Sequence, residues 1–216
     1  MHPSRFAAAA RRLALTLTCA MAAMVPAHAA PVSYQGTFAH DNDLVVFNLN
    51  ITSMLGGTID ARTFSHSGGA NAAGAVIPAG GFAPVLVLFD SLGFEVFRDV
   101  GTSHTCPAGF CWDAFFNFGV NSAGSYKLVL SQDDNLPNGN FADGYSRDSD
   151  PDYTAGNTPG GVRFVRFDGV QRTGNWALDV NVSNTPVTAG VPEPASLALV
   201  LSALSVLTLV RRRKTV

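Results

Sequence analysis

The sequence predicts an all-β protein, a two-sheet β-sandwich of roughly seven to nine short strands. Three observations lead there. Between positions 40 and 183 the apolar residues recur with a period of two, the repeat of a strand with one buried face. The segments between them are rich in glycine, asparagine and aspartate, which favour turns because they tolerate unusual backbone angles or bond the local backbone. No stretch of the same region carries a helical repeat. A length of 216 residues suits one such domain with processing segments at its ends.

The first clear strand is VVFNLNI, residues 45–51, with Val45, Phe47, Leu49 and Ile51 on one face and mostly asparagine on the other. SHSGGANAAGAVIPAGG, residues 65–81, is built of small residues and reads as a long flexible loop. PVLVLFD, residues 84–90, is apolar nearly throughout, as a central strand would be. Asp90-Ser-Leu-Gly93 supplies a turn into another strand at 94–100. Residues 115–120 give the next strand, and after it Tyr126, Leu128 and Leu130 alternate against Ser125, Lys127 and Val129. Asn138-Gly139 has the chemistry of a hairpin turn. Residues 162–167 are a further candidate strand. In the last one, Trp176, Leu178, Val180 and Val182 alternate against Asn175, Ala177, Asp179 and Asn181.

The N-terminal end has a different character. Arg5, Arg11 and Arg12 stand among small residues, an apolar stretch follows at 13–24, and Ala27-His28-Ala29 has the small-x-small pattern of a cleavage site. This predicts a secretory signal peptide over 1–29 that carries Cys19 away with it. The sandwich domain then spans 30–183, a linker 184–190, and a terminal segment 191–216.

Charge separates along the same boundaries. The whole chain has a formal charge of −2, but between Ala30 and Gly190 seven basic residues face 15 acidic ones, a net −8. So acidic a body argues against nucleic acid, whose phosphates need basic patches, and suits solubility or cations. Cys106 and Cys111, written CPAGFC, are its only cysteines. In an oxidising compartment such a pair is expected to form a disulfide, worth roughly 2 kcal/mol for so short a loop. A redox pair has a shorter spacing, C-x-x-C, and a different kind of fold.

The last segment, VPEPASLALVLSALSVLTLVRRRKTV, has three parts in order. Pro192, Glu193 and Pro194 keep the backbone extended. The uncharged run 195–210 reaches about 24 Å as a helix, a little short of a ~30 Å hydrocarbon core. Arg211, Arg212, Arg213 and Lys214 hold the C-terminus on the cytoplasmic side. This segment resembles a PEP-CTERM sorting signal. The resemblance implies a Gram-negative host and a transmembrane helix lodged transiently in the inner membrane. It further implies recognition by an exosortase, a membrane-embedded cysteine protease, and delivery to the envelope, outer surface or extracellular matrix. A plain C-terminal anchor is the alternative.

The body carries a second resemblance. GTFAHDNDLVVFNL (36–49), FAPVLVLFDSLG (82–93), GSYKLVLSQDDNLPNGNFADGYSRD (124–148) and TGNWALDV (173–180) look like a family of exported PEP-CTERM proteins. Its single domain is similar to bacterial pre-peptidase C-terminal domains. That resemblance implies a jelly-roll-like sandwich without known catalysis.

No catalytic constellation stands in the sequence, and no catalytic residue is assigned. His40, His66 and His104 are the body's histidines; none sits in H-E-x-x-H, and no serine stands in G-x-S-x-G. They read as polar loop or edge residues. Asp148, Asp150 and Asp152 fall at alternate positions, as the first oxygen ligands of a calcium loop do. Tyr153 stands where the tight-turning glycine belongs and Pro159 where a bidentate glutamate belongs, so turn formation is the simpler reading. Calcium is thus the one cofactor suggested, with these three aspartates as ligands. Asp41-Asn42-Asp43 and Asp133-Asp134-Asn135 are further oxygen-rich turns.

Trp112, Phe115, Phe116 and Phe118 raise the question of carbohydrate, although aromatic residues in a small sandwich chiefly fill the core. Trp176, on the apolar face of its strand, reads as core. The expectation is an exported, non-enzymatic envelope or matrix protein sorted by an exosortase. The alternative is a calcium-dependent carbohydrate-binding module associated with exopolysaccharide.

Overall fold

A computed structural model describes residues 30–53, 57–101, 105–106, 109–110 and 112–184. In chain order the strands are β1 (Val32–Thr37), β2 (Val45–Ile51), β3 (Gly57–Thr63), β4 (Gly69–Ala70), β5 (Val76–Ile77) and β6 (Pro84–Phe89). They continue as β7 (Glu95–Asp99), β8 (Thr105–Cys106), β9 (Gly109–Phe110), β10 (Phe115–Val120), β11 (Gly124–Gln132) and β12 (Asn175–Ser183). Two single 3-10 turns, Phe141–Asp143 and Ala155–Asn157, are the helical pieces among the described residues.

Eight of the strands form two antiparallel four-stranded sheets, ordered β1-β12-β3-β10 and β2-β11-β6-β7. The pairings nest. The first strand pairs with the last, β2 with β11, β3 with β10, and β6 with β7 across the Asp90 turn. The short strands pair as two ribbons, β4 with β5 and β8 with β9.

The period of two explains which face each strand buries. Leu49, Ile51, Leu86, Leu88, Tyr126, Leu128 and Leu130 of one sheet meet Ile59, Ala61, Phe116, Val120, Trp176, Leu178 and Val180 of the other. Aromatic pairs close both flanks: Phe47 packs edge-on against Trp176 at 6.2 Å, and Phe97 against Phe116 at 4.9 Å. β6 is buried along its whole length because its second face is covered too. There Val85, Val87, Phe89 and Val129 pack beneath Tyr145, with Leu136 and Phe141 against them. That second layer is why its sequence is apolar without alternation.

Three local expectations change. Residues 65–81 are an ordered flap: β4 and β5 pair within it. Asp113 accepts hydrogen bonds from the His66 and Ser67 amides, and Asp179 from that of Ala72, so backbone bonds hold what small side chains cannot. Residues 162–167 are not a strand. Phe164 has a φ of 60°, outside extended geometry, and only an isolated bridge joins Val165 to Gln171. Asn138-Gly139 lies in a loop closed by the Pro137–Tyr145 bridge, not between two ladder strands. β1 and β3 join the pattern as strands the sequence had not singled out.

Cys106 ends β8, while Cys111 lies outside the described residues, and so does the disulfide expected between them. The signal peptide, His104, Pro192, Glu193, Pro194, the run 195–210 and Arg211 to Lys214 lie outside them as well. Among the described residues, no helix is long and apolar enough to cross a membrane.

Candidate functional site

The aspartates chosen as calcium ligands do not come together. Asp148 accepts the Tyr145 amide at 2.8 Å within its own turn. Asp152 is paired with Arg163 at 3.1 Å and with His40 at 3.3 Å, and Asp150 is exposed. No three His, Cys, Asp or Glu side chains among the described residues are grouped to hold a metal ion. Of the aromatic residues near the cysteines, Phe116 is core, Phe118 packs against the core beside Phe97 at 5.7 Å, and Phe115 is exposed. Trp112 lies at 6.1 Å from Phe167, edge to face.

That contact points to a cleft at one end of the sandwich. Three segments distant in sequence build it: the approach to β6, the turn that ends β11, and the irregular stretch 154–172. The Asp133 amide bonds the Ala83 carbonyl at 2.9 Å, which fixes the first two against each other. The third is held by Asp41, which has 0% exposure. Its Oδ1 accepts the Phe164 amide at 2.6 Å, and its Oδ2 accepts the Thr154 amide at 2.9 Å and the Thr154 hydroxyl at 2.6 Å. Tyr153 reaches over to donate its hydroxyl to the Asp133 carbonyl. Asp41 therefore belongs to the scaffold of the cleft and not to a calcium turn.

The cleft has a volume of about 90 Å³, with Gln132, Asp133, Asp134, Arg166, Phe167 and Arg172 among its walls. Its polar groups are incompletely matched. Gln132 is only 5% exposed, and its Oε1 accepts no hydrogen bond. The Nε of Arg172 is buried and donates none. Burial and the neighbouring Asp134 carboxylate hold Asp133 above the usual carboxylate range. Burial, followed by repulsion from Arg166, lowers the affinity of Arg172 for its proton. Arg166, by contrast, is tied to Asp168, whose carboxyl is held down to about 2 mainly by that bond. A wider groove of about 420 Å³ runs between Gln35, Thr37 and the flap residues Val76 to Pro78, without a charged wall.

His66 sits in the flap at 8% exposure, with no hydrogen bond at Nε2. Burial above all, then the positive charge of Arg172, pushes the imidazole down to about 4, while Asp113 opposes them. An unfolded histidine takes its proton near pH 6.5. Between those values the unfolded chain binds a proton that the folded one refuses. Stability therefore falls as pH drops from about 6.5 towards 4 and is level above that window. Replacing His66 by glutamine is expected to flatten this acid-side loss, read as urea midpoints at about pH 7 and about pH 4.5. An equally steep loss in the variant would remove His66 as its source.

Sequence reasoning missed the cleft as a unit. Gln132-Asp133-Asp134 at the end of an apolar strand, and Arg163, Arg166 and Arg172 clustered in a body with seven basic residues, were the signals present.

No protein-family model matches the chain, and no curated protein matches it. Among solved structures, it is similar to PliG of Aeromonas hydrophila, a periplasmic inhibitor of g-type lysozyme. The TM-score is 0.36 and the identity 13%, over 73% of this chain and 88% of that one. It is also similar to the pre-peptidase C-terminal domain of a Bacillus anthracis collagenase. There the TM-score is 0.34 and the identity 10%, over 70% of this chain and 88% of the other. Likenesses this distant assign neither a family nor a ligand.

Proposed function

We propose that the protein is an exported, non-enzymatic β-sandwich, delivered to the envelope or extracellular matrix after an exosortase reads its C-terminal signal. The observation that carries this reading is the order Pro192-Glu193-Pro194, uncharged run 195–210, and Arg211 to Lys214 behind a single β domain. Each part has a physical role in presenting an extended backbone at the outer face of a membrane. The nested strand pairing, first with last and second with next to last, supports a jelly-roll-like wrap for the displayed body. The absence of a catalytic role is supported by how its carboxylates are used: Asp41, Asp43, Asp113 and Asp148 all accept backbone amides that hold loops.

The intact mass of the protein recovered from its host, in envelope and medium, tests the sorting step. The expected result is a C-terminus close to Pro194. A chain still ending at Val216 in the membrane fraction would make the tail a simple anchor and end the exosortase reading.

A further inference from the structure

We propose that the protein pairs edge to edge with a second copy of itself, β2 against β2, in antiparallel register about Asn48. This goes beyond the sorting of the chain and rests on the sandwich alone.

A sheet edge is a row of unpaired backbone donors and acceptors, and sandwiches guard it with charge, proline, bulges or cover. The four edges here are guarded unequally. β1 and β2 lie together on one side of the sandwich, where Tyr34 meets Phe47 at 4.8 Å; β7 and β10 share the other, where Phe97 meets Phe116. β7 carries Glu95, Arg98 and Asp99, and its ladder with β6 shifts register at Leu88. The Asp99 carboxylate takes the Phe115 amide at the head of β10. On β1 the flap closes in, with the Ala73 amide on the Ser33 hydroxyl. β2 has none of these guards. Its seven residues include no charge and no proline, and its ladder with β11 runs unbroken from Val45 to Ile51. Its other edge bonds nothing among the described residues.

The sequence of β2 is its own complement. In an antiparallel pair centred on Asn48, Phe47 faces Leu49 of the second copy and Val45 faces Ile51. On the outward face Val46 meets Asn50, and Asn48 meets its own counterpart. Apolar thus meets apolar on the core side, and the two Asn48 amides each offer a donor and an acceptor to the other. A slip of one residue would set every core-facing side chain against an outward one. Any strand could take the backbone bonds; β2 of a second copy also brings side chains matched along its length. Such a two-fold contact closes on itself, so the product is a dimer and not a fibre.

Charge leaves the same side open. Each body carries a net −8, so two copies repel where their acidic surfaces meet, yet β1 and β2 contribute no charged side chain. Lys127 stands across the ladder from Asn48, but its Nζ lies over the Phe141 ring at 5.4 Å, on the β6 side and away from the axis. This side also has apolar surface to cover. Val32 and Tyr34, whose ladder partners Val180 and Leu178 are core, are 53% and 39% exposed. Val45 and Phe47 are only partly buried. A second copy seated on β2 brings its own β1 and β2 alongside them.

The test uses the intact chain, its mass followed by sedimentation equilibrium in a density-matched detergent. The expected result is a monomer–dimer equilibrium with a midpoint at roughly micromolar concentration, as suits a modest interface. Asn48→Asp should raise that midpoint about tenfold or more, because it sets two carboxylates opposite each other at the axis. Its monomer should melt where the parent's does, since position 48 is exposed and Lys127 stands across the ladder from it. Asn48→Cys should be joined to its counterpart by a short thiol-reactive cross-linker. The parent, and Asn117→Cys on the opposite side of the sandwich, should not be joined. A parent still monomeric at about 100 μM would overturn the proposal and leave the edge to a strand of another protein. A dimer that Asn48→Asp does not weaken, or that Asn48→Cys does not link, would overturn it too and place the contact elsewhere, as in the C-terminal apolar run. None of these outcomes bears on where the C-terminus is cut.

Discussion

Replacing Asp41 by alanine is expected to destabilise the protein by about 3–5 kcal/mol, the range for removing one partner of a buried, charge-assisted network. The side chain is fully buried and receives three hydrogen bonds, two from backbone amides and one from the Thr154 hydroxyl. Truncation leaves the amides of Thr154 and Phe164 without an acceptor in a place water does not reach. It also releases Phe164, whose φ of 60° is costly for a bulky side chain and persists only where its surroundings impose it. Asp41→Asn is the control. It keeps the volume and one acceptor oxygen but turns an NH2 towards a donor, so about half the loss is expected. Denaturant unfolding measures both. A loss under about 1 kcal/mol for the alanine variant would mean that these bonds form without consequence.

The strands show which parts of this fold a sequence can display. β2 buries one face against the opposite sheet, and its apolar residues alternate accordingly; β11 and β12 do the same but also bury Val129 and Ala177 on their second faces. β6 lies under a second layer, and its residues are apolar on both sides. β3, GTIDART, was hidden because only Ile59 is strongly apolar; Gly57, Thr58, Ala61 and Thr63 are buried without looking so. Thr63 is accommodated by hydrogen bonds to Asp113 and to the Ala114 backbone, partners some fifty positions away. Residues 162–167 failed in the opposite sense. Their apolar content resembles a strand, but Phe164 and Val165 give their amides to Asp41 and Thr154 in place of a ladder.

The same distance hides the site. Turn propensity explains why aspartate and asparagine gather at 41–43 and 133–135, and it says nothing of what they touch. Asp41 reaches residues more than a hundred positions away, and Asn135 bonds the Asn42 carbonyl and the Arg147 amide. Spacing within one loop could suggest calcium at Asp148, Asp150 and Asp152. Only the packing of three loops against one another places Gln132 and Arg172 in a common wall.

Phe82→Ala is expected to cost about 3–5 kcal/mol, as buried phenylalanine truncations do when the surroundings cannot collapse. Phe82 is 1% exposed and stands between two other rings, 5.0 Å from Phe38 and 5.9 Å from Phe164, nearly parallel to both. It also forms part of the cleft. Collapse is opposed there, because the Phe38 amide is fixed to the Gly174 carbonyl and the Phe164 amide to Asp41. Phe82→Leu should cost less, about 1–2 kcal/mol, since most of the volume remains. Asp41 and Phe82 both act through Phe164, one by its amide and one by its ring. Their effects should therefore fall short of additivity, by about 0.5–1 kcal/mol in the milder pair Asp41→Asn and Phe82→Leu. Once Phe164 has been loosened by either change, the other has less to remove. Strict additivity in denaturant unfolding would mean that the carboxylate and the aromatic stack hold the cleft independently. Phe164 would then be a bystander to both.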